Sequence, residues 1–333
     1  MTDADLPDRY RHIAVDPDTR AFSVEEAPLP SPAANEILIR VECAGINRAD
    51  LLQRAGLYPP PEDASPILGL EVAGTVAAAG PGVQEWTPGQ QVCALTHGGG
   101  YAEYAVAPVG QCFPVPEGHS MAEAAALPEA LLTIWHNIFQ RAALQRGETV
   151  LIHGGASGMG TMGVMMSAAL GATVYTTAGT AQKCKALEAL GATRAINYRE
   201  EDFEAVLAEL DVTGKVDVIL DMIGGDYIQK NMNVAAPEGR IVNIAYMGGF
   251  KAEVNFAPLL MKRLTLTGST LRAQSFAQKE VMRDEILQAV YPHIASGAIR
   301  PVVDSSFPLA EVHAAHTRME SGEHMGKIVL QVA

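Results

Sequence analysis

Between about residues 125 and 270 the chain alternates short apolar runs with longer stretches of helical spacing. The runs at 149–153, 172–177, 194–198, 216–221, 240–246 and 263–268 are too short for helices and are rich in apolar and β-branched residues. That is the pattern of strands covered on both faces. With five helical segments between them, they predict a doubly wound parallel sheet of six strands. Residues 1–124 read differently, as short strands at 36–42, 71–77, 90–95 and 101–107 separated by Gly and Pro, which predicts a β-rich, partly barrel-like domain. Beyond residue 270 come a long helical stretch, Pro301-Val302-Val303-Asp304, a helix near 309–320 and a final strand Lys327-Ile328-Val329-Leu330-Gln331-Val332. A lone terminal strand needs partners, and the amino-terminal β-rich region can supply them. The predicted organisation is a substrate domain in two pieces, 1–124 and 271–333, with the α/β domain 125–270 inserted.

The first run of the α/β domain, Thr149-Val150-Leu151-Ile152-His153, leads directly into Gly154-Gly155-Ala156-Ser157-Gly158-Met159-Gly160-Thr161-Met162-Gly163. Strand, glycine-rich turn and small-residue helix arrive in the order that a dinucleotide-binding fingerprint requires, so the domain reads as a Rossmann fold. Gly158 is expected to make the tight turn, Gly160 to let the backbone approach a pyrophosphate, and Gly163 to let the helix press on the strand. The free N–H groups at the helix start, those of Gly158 and Met159 among them, would then face phosphate. The Ser157 hydroxyl has two roles open to it, a phosphate contact or a bond to its own loop.

An NAD site usually places an acid at the end of the second strand to hold the ribose 2′-hydroxyl. Here that strand reads Ala172-Thr173-Val174-Tyr175-Thr176-Thr177 and continues Ala178-Gly179-Thr180-Ala181-Gln182-Lys183, with no acid. Gly179 leaves room, Thr180 can donate a hydrogen bond and Lys183 brings a positive charge, which favours NADPH. The alternative for Lys183 is a solvated charge on the following helix.

The 24 basic against 38 acidic residues give a net charge of −14, and no basic cluster offsets it. This argues against nucleic acid or an anionic membrane as a partner. No apolar run reaches membrane-spanning length, and the acidic start Met1-Thr2-Asp3-Ala4-Asp5 shows no signal or transit pattern, so a cytoplasmic location is expected. Cys43, Cys93, Cys112 and Cys184 have no paired spacing and read as reduced thiols, mostly packed. His313 and His316 could share a helix face, but without a third ligand they read as helix surface rather than a metal site.

Several segments carry a resemblance that spans essentially the whole chain. They are Ala44-Gly45-Ile46-Asn47-Arg48-Ala49-Asp50, Gly56-Leu57-Tyr58-Pro59-Pro60-Pro61, Ile67-Leu68-Gly69-Leu70-Glu71-Val72-Ala73-Gly74 and Gly98-Gly99-Gly100-Tyr101-Ala102-Glu103-Tyr104. Ala125-Ala126-Leu127-Pro128-Glu129, the fingerprint, Ile196-Asn197-Tyr198 and Met325-Gly326-Lys327-Ile328-Val329 complete the set. With them the chain resembles the medium-chain dehydrogenase/reductase superfamily and, within it, the zinc-independent NADPH:quinone oxidoreductases, closest to the tumour-suppressor-inducible subgroup and its bacterial relatives. The resemblance implies a GroES-like first domain, a homodimer, and NADPH in the cleft between domains.

Zinc-containing members keep a Cys at the position of Asn47, a His at that of Leu70 and a Cys or equivalent at that of Glu129. The present residues make no zinc set, and without a Lewis acid alcohol oxidation loses its usual device. By motif, Asn47, Thr133, Ser157, Met159, Gly179, Lys183, Tyr198, Ile223, Tyr246, Leu271 and Lys327 are expected to line the cofactor, with Lys183 and Tyr198 at the 2′-phosphate. Tyr58, on a turn stiffened by three prolines, matches the family's active-site tyrosine, its alternative being a ring packed on its own loop. Asn47 and Ser157 are the other candidate catalytic residues, whereas Asp50 reads as structural, closing a turn or pairing with a basic side chain. The implied reaction is hydride transfer from NADPH to a quinone or related conjugated carbonyl, with protonation from solvent. Reduction of an alkenal or enoyl-thioester, or a crystallin-like role without catalysis, are the alternatives.

Overall fold

The computed structural model describes residues 6–332, so the acidic segment 1–5 lies outside them. The chain forms two compact units, one of Met1–Leu131, Gln274–Ala295 and Arg300–Ala333, the other of Leu132–Ala273 and Ser296–Ile299.

In the first unit β1 (Arg9–Val15) and β2 (Phe22–Pro28) form an antiparallel hairpin, followed by β3 (Glu36–Ile46), β4 (Glu71–Ala79), β5 (Gln91–Leu95), β6 (Tyr104–Pro108) and β7 (Cys112–Pro114). The long β3 pairs with both β4 and β6, and register shifts at Leu38/Ile39 and Val41/Cys43 bend it. Its inward residues Ile37, Ile39, Val41 and Ile46 meet Val72, Val92 and Tyr101 in one buried cluster.

The second unit holds β8 (Thr149–Ile152), β9 (Thr173–Ala178), β10 (Arg194–Asn197), β11 (Val216–Asp221), β12 (Ala235–Asn243) and β13 (Thr265–Gly268). They form one parallel sheet in the order β10-β9-β8-β11-β12-β13, the doubly wound arrangement expected. Strand order reverses between β8 and β11, and ligands of such sheets bind at the carboxyl ends of the strands beside that point. The centre of the sheet is apolar on both faces, since Val150, Leu151, Ile152, Val218, Ile219 and Leu220 are all fully buried.

The chain then re-enters the first unit. There β14 (Val303–Pro308) lies parallel to β15 (Lys327–Gln331), and β15 pairs antiparallel with β3, Ile328 opposite Ile46 and Gln331 opposite Cys43. The terminal strand thus finds the amino-terminal partner that it needs. All four cysteines are free and buried, and no helix of the described residues is long and apolar enough to cross a membrane.

Three expectations change. β1, β2, β7 and β14 are strands beyond those expected; β2, Phe-Ser-Val-Glu-Glu-Ala-Pro, and β14, Val-Asp-Ser-Ser-Phe-Pro, have no clean alternation. The strand expected to begin at Tyr101 begins at Tyr104 instead, after left-handed turns at Gly98 (φ 85°) and Gly99 (φ 88°). His313 is exposed, but His316, expected on the helix surface, is fully buried, because helix Val312–Glu320 turns that face onto Tyr101.

Candidate functional site

The glycine-rich turn leaves β8 through Gly154, whose φ of 67° is left-handed, and enters helix Gly158–Ala169. Gly154 therefore makes the tight turn assigned above to Gly158, which is instead the first residue of the helix. Gly160 is demanded by the turn itself, since a Cβ there would collide with the Gly154 carbonyl and come within 2.5 Å of Gly155 Cα. A Cβ on Gly163 would sit 3.2 Å from both Ile152 and Ile134 methyl groups, so that glycine sets how closely the helix rides on β8. Ser157 is the N-cap: its hydroxyl oxygen accepts the Gly160 N–H at 2.9 Å and its proton points to Met222 Sδ at 3.7 Å. The N–H groups of Gly158 and Met159 have no carbonyl one turn back to bond, which is the anion-binding end of a helix.

Two further loops leave the same strand ends. Asp221, closing β11, accepts the N–H groups of Ile223 (2.6 Å) and Gly224 (3.1 Å) and the amides of Asn231 and Asn243 (3.0 Å each). Gly248 N–H donates to the Ile223 carbonyl at 2.7 Å and Gly225 N–H to that of Gly249 at 3.1 Å, so Ile223 and Tyr246 lie on two laced loops. After β13 the Ser269 hydroxyl donates to Asn137 Oδ1 at 2.6 Å and Asn137 Nδ2 to the Thr133 carbonyl at 2.8 Å. Thr133 and the buried Leu271 are thereby drawn toward the same end of the sheet.

At the end of β9 the backbone passes through Gly179 to Thr180, whose hydroxyl accepts the Lys183 N–H at 3.2 Å and caps helix Ala181–Ala189. A Cβ on Gly179 would sit 2.7 Å from the Tyr198 hydroxyl and 3.5 Å from Arg199 Nε. The glycine, the half-exposed tyrosine and the guanidinium are thus neighbours, and no carboxylate ends the strand. The sequence motifs single out Tyr198 but pass over Arg199, which follows it and whose N–H is fixed by Asn197 Oδ1 at 3.3 Å.

The first unit carries a buried polar network. Lys327 pairs with Glu71 Oε1 and donates to Asn47 Oδ1 at 2.6 Å, while Asn47 Nδ2 donates to the same Glu71 oxygen at 2.9 Å. Glu71 Oε2 accepts the Glu129 N–H at 2.9 Å. Asp50 closes the helix start, accepting from the Asn47 N–H at 2.8 Å, from the Gly69 N–H at 3.3 Å and from the Tyr101 hydroxyl at 3.0 Å; it is the turn-closing residue expected. Burial raises its pKa to about 6 against the downward pull of those donors and of Lys327. On the far side of Tyr101 the His316 Nε2 lies 3.2 Å from the hydroxyl, and burial, with Arg54 and His313 adding, lowers that imidazole to about 3. His316 is therefore neutral at physiological pH, and its Nε2–H donates to the tyrosine oxygen. Glu129, half-buried, is raised to about 7 by burial and then by the neighbouring Glu71 charge.

These residues do not make a zinc site. Leu70 is buried and apolar, the Asn47 amide is engaged by Glu71 and Lys327, and the ammonium already supplies the cation that Glu71 requires. Among the described residues no group of three or more His, Cys, Asp or Glu side chains is placed to hold a metal. Tyr58, half-buried, lies in the irregular segment that follows helix Arg48–Arg54 in this unit.

Residues 33–117 match the alcohol dehydrogenase GroES-like domain and residues 190–330 the zinc-binding dehydrogenase domain. The chain is 31% identical to 2-haloacrylate reductase of Burkholderia sp. over 93% of its own length and 94% of that protein. It is also 30% identical to phthioceranic/hydroxyphthioceranic acid synthase of Mycobacterium tuberculosis, over 90% of this chain but only 14% of that much longer protein. Among solved structures, Escherichia coli quinone oxidoreductase complexed with NADPH is 29% identical with a TM-score of 0.83, covering 97% of this chain and 99% of that one. With its GroES-like domain, its doubly wound sheet and a full-length relative at this identity, the chain belongs to the medium-chain dehydrogenase/reductase superfamily of oxidoreductases.

Proposed function

We propose that this protein reduces electron-poor conjugated acceptors, quinones first among them, with NADPH and without zinc. The observation that carries the cofactor choice is the acid-free end of β9, where Gly179 lies directly against the Tyr198 hydroxyl and near the Arg199 guanidinium. A 2′-phosphate would find there the Tyr198 and Thr180 hydroxyls, the Arg199 guanidinium and Lys183, whereas a carboxylate would repel it. The capped turn at Ser157, kept tight by Gly160, offers the Gly158 and Met159 N–H groups to the pyrophosphate. Ile223, Tyr246, Thr133 and Leu271, at neighbouring strand ends, would line the remainder.

NADPH, when bound, supplies a hydride. The chain contributes position and exclusion of water: Asn47, held by Glu71 and Lys327, presents a fixed amide, and Tyr58 would orient the acceptor by hydrogen bond or stacking. No Lewis acid is needed where the acceptor delocalises the arriving charge itself. Stopped-flow NADPH oxidation with benzoquinone tests this, and its absence would leave the crystallin-like alternative. A second acceptor class, the activated carbon–carbon double bond, is favoured by the full-length similarity to 2-haloacrylate reductase.

The assembly proposed is a homodimer. The edge strand β13 carries a half-exposed Leu266, and the segment leading into it exposes apolar surface at Phe256 (60% exposed), Leu260 (78%) and Met261 (74%). A second copy joined antiparallel along β13 would cover both the open edge and this surface. Light scattering showing only monomer at micromolar concentration would reject it. The four buried, unpaired thiols fit a reducing compartment, in keeping with a cytoplasmic location.

A further inference from the structure

We propose that Glu129 is the proton donor for the reduction of activated double bonds, an inference that rests on the second acceptor class above. Hydride added to the β-carbon of such an acceptor leaves an electron pair on the α-carbon, and that carbon takes a proton slowly from water. The reaction therefore needs an acid in place, and a carboxyl is suited to the work when it is protonated near neutral pH.

Glu129 has the required setting. It is the second residue of helix Pro128–Ile134, and its N–H is anchored to Glu71 Oε2 at 2.9 Å, so its backbone is fixed one carboxylate away from the Asn47 amide and the Lys327 ammonium. Glu71, Asp50, Asn47 and Lys327 are all buried, whereas Glu129 alone in the network is only partly buried. It is the residue of this cluster with surface left for a substrate to meet.

The groups facing it set its protonation. Glu71 on β4 and Asp50 on helix Arg48–Arg54 oppose a further negative charge, while Lys327 on β15 and Lys279 on helix Phe276–Ala289 favour one. Burial and Glu71 outweigh the two lysines, and the carboxyl is held up to about 7. In the step itself the O–H bond of Glu129 breaks, the α-carbon–hydrogen bond forms, and the carboxylate left behind is reprotonated from solvent. Hydride from NADPH and one proton thus saturate the bond.

With 2-chloroacrylate as probe, protonation at carbon 2 creates a stereocentre, so the product records where the proton came from. We expect wild-type protein to yield one enantiomer of 2-chloropropanoate, with kcat/KM falling as pH rises through about 7. Glu129→Gln should lose on the order of 100-fold or more in kcat/KM, lose that limb and give a mixed product, while still binding NADPH by calorimetry. Glu129→Asp should restore part of the limb and of the stereochemistry. A Gln variant with unchanged limb and unchanged enantiomer would overturn the proposal. Infrared difference spectroscopy of wild type against Glu129→Gln needs no turnover: a protonated carboxyl band titrating near neutrality supports the donor, and its absence overturns it. Failure of wild type to reduce 2-chloroacrylate or any enal would sink the double-bond reading itself, a result distinct from either outcome for the variant.

Discussion

Replacing Lys327 by Met removes the cation paired with Glu71. In the parent, Lys327 and Glu71 are 4% and 0% exposed, and the ammonium also holds Asn47 Oδ1 at 2.6 Å. The variant leaves a carboxylate in a dry interior with two neutral donors, Asn47 Nδ2 and the Glu129 N–H, each at 2.9 Å. Breaking a buried pair by removing one partner costs about 3–5 kcal/mol, and the two remaining donors place this case near about 3 kcal/mol. For a unit of this size each kcal/mol is worth about 2–4 °C, so thermal unfolding should begin roughly 6–12 °C lower. Combining Lys327→Met with Glu71→Gln discharges the orphaned carboxylate and should recover most of that loss. Differential scanning calorimetry of the parent and both variants reads it directly. A single variant melting within about 2 °C of the parent, or a double variant no better than the single, would refute the view that this network depends on its ion pair.

Lys183→Ala and Arg199→Ala should each remove about 1.5–3 kcal/mol from NADPH binding, a tenfold to roughly hundredfold loss, with NADH scarcely affected; calorimetric titration of both cofactors checks this, and Tyr198→Phe should act more weakly in the same direction. Tyr58→Ala should lower acceptor turnover with little change in NADPH affinity, and equal losses in both would place the ring at the cofactor or in the fold. Asp50 and Glu129 have folded-state pKa values raised from 3.8 to about 6 and from 4.5 to about 7. Their favourable contribution is complete below the unfolded values and is lost as pH rises through the folded ones. Urea unfolding between pH 4 and pH 8 should therefore show stability from these two groups declining, and Glu129→Gln should flatten the part near 7.

The doubly wound sheet is legible because its strands are short apolar runs at regular intervals, and a fully buried strand must be apolar on both faces. β2 and β14 are not, because a strand carrying Glu-Glu or Asp-Ser-Ser leaves no period to detect. The fingerprint locates its turn but misassigns one glycine, since the left-handed residue is Gly154 and spacing alone does not reveal φ. Arg199 escapes notice because its place depends on how β10 ends beside β9, a matter of register. The Glu71–Lys327 pair is hidden for a related reason: its members lie near opposite ends of the chain and meet only once β15 pairs with β3. A signal was nevertheless present, because a carboxylate inside Leu70-Glu71-Val72-Ala73 and a lysine opening an apolar terminal strand both need partners when buried. His316 shows the reverse error, a polar residue assigned to the surface that the fold buries with its Nε2 against the Tyr101 hydroxyl.

Zinc-independent reduction of conjugated acceptors with NADPH, as proposed above, is tested most directly by one assay. Protein dialysed against chelator is mixed with NADPH and a series of quinones, enals and 2-chloroacrylate, with NADP⁺ and primary or secondary alcohols tested in parallel. The expected result is NADPH oxidation with at least one conjugated acceptor, undiminished by chelation, and no alcohol oxidation. Alcohol oxidation that disappears with the chelator and returns with zinc, with no turnover of any conjugated acceptor, would contradict it.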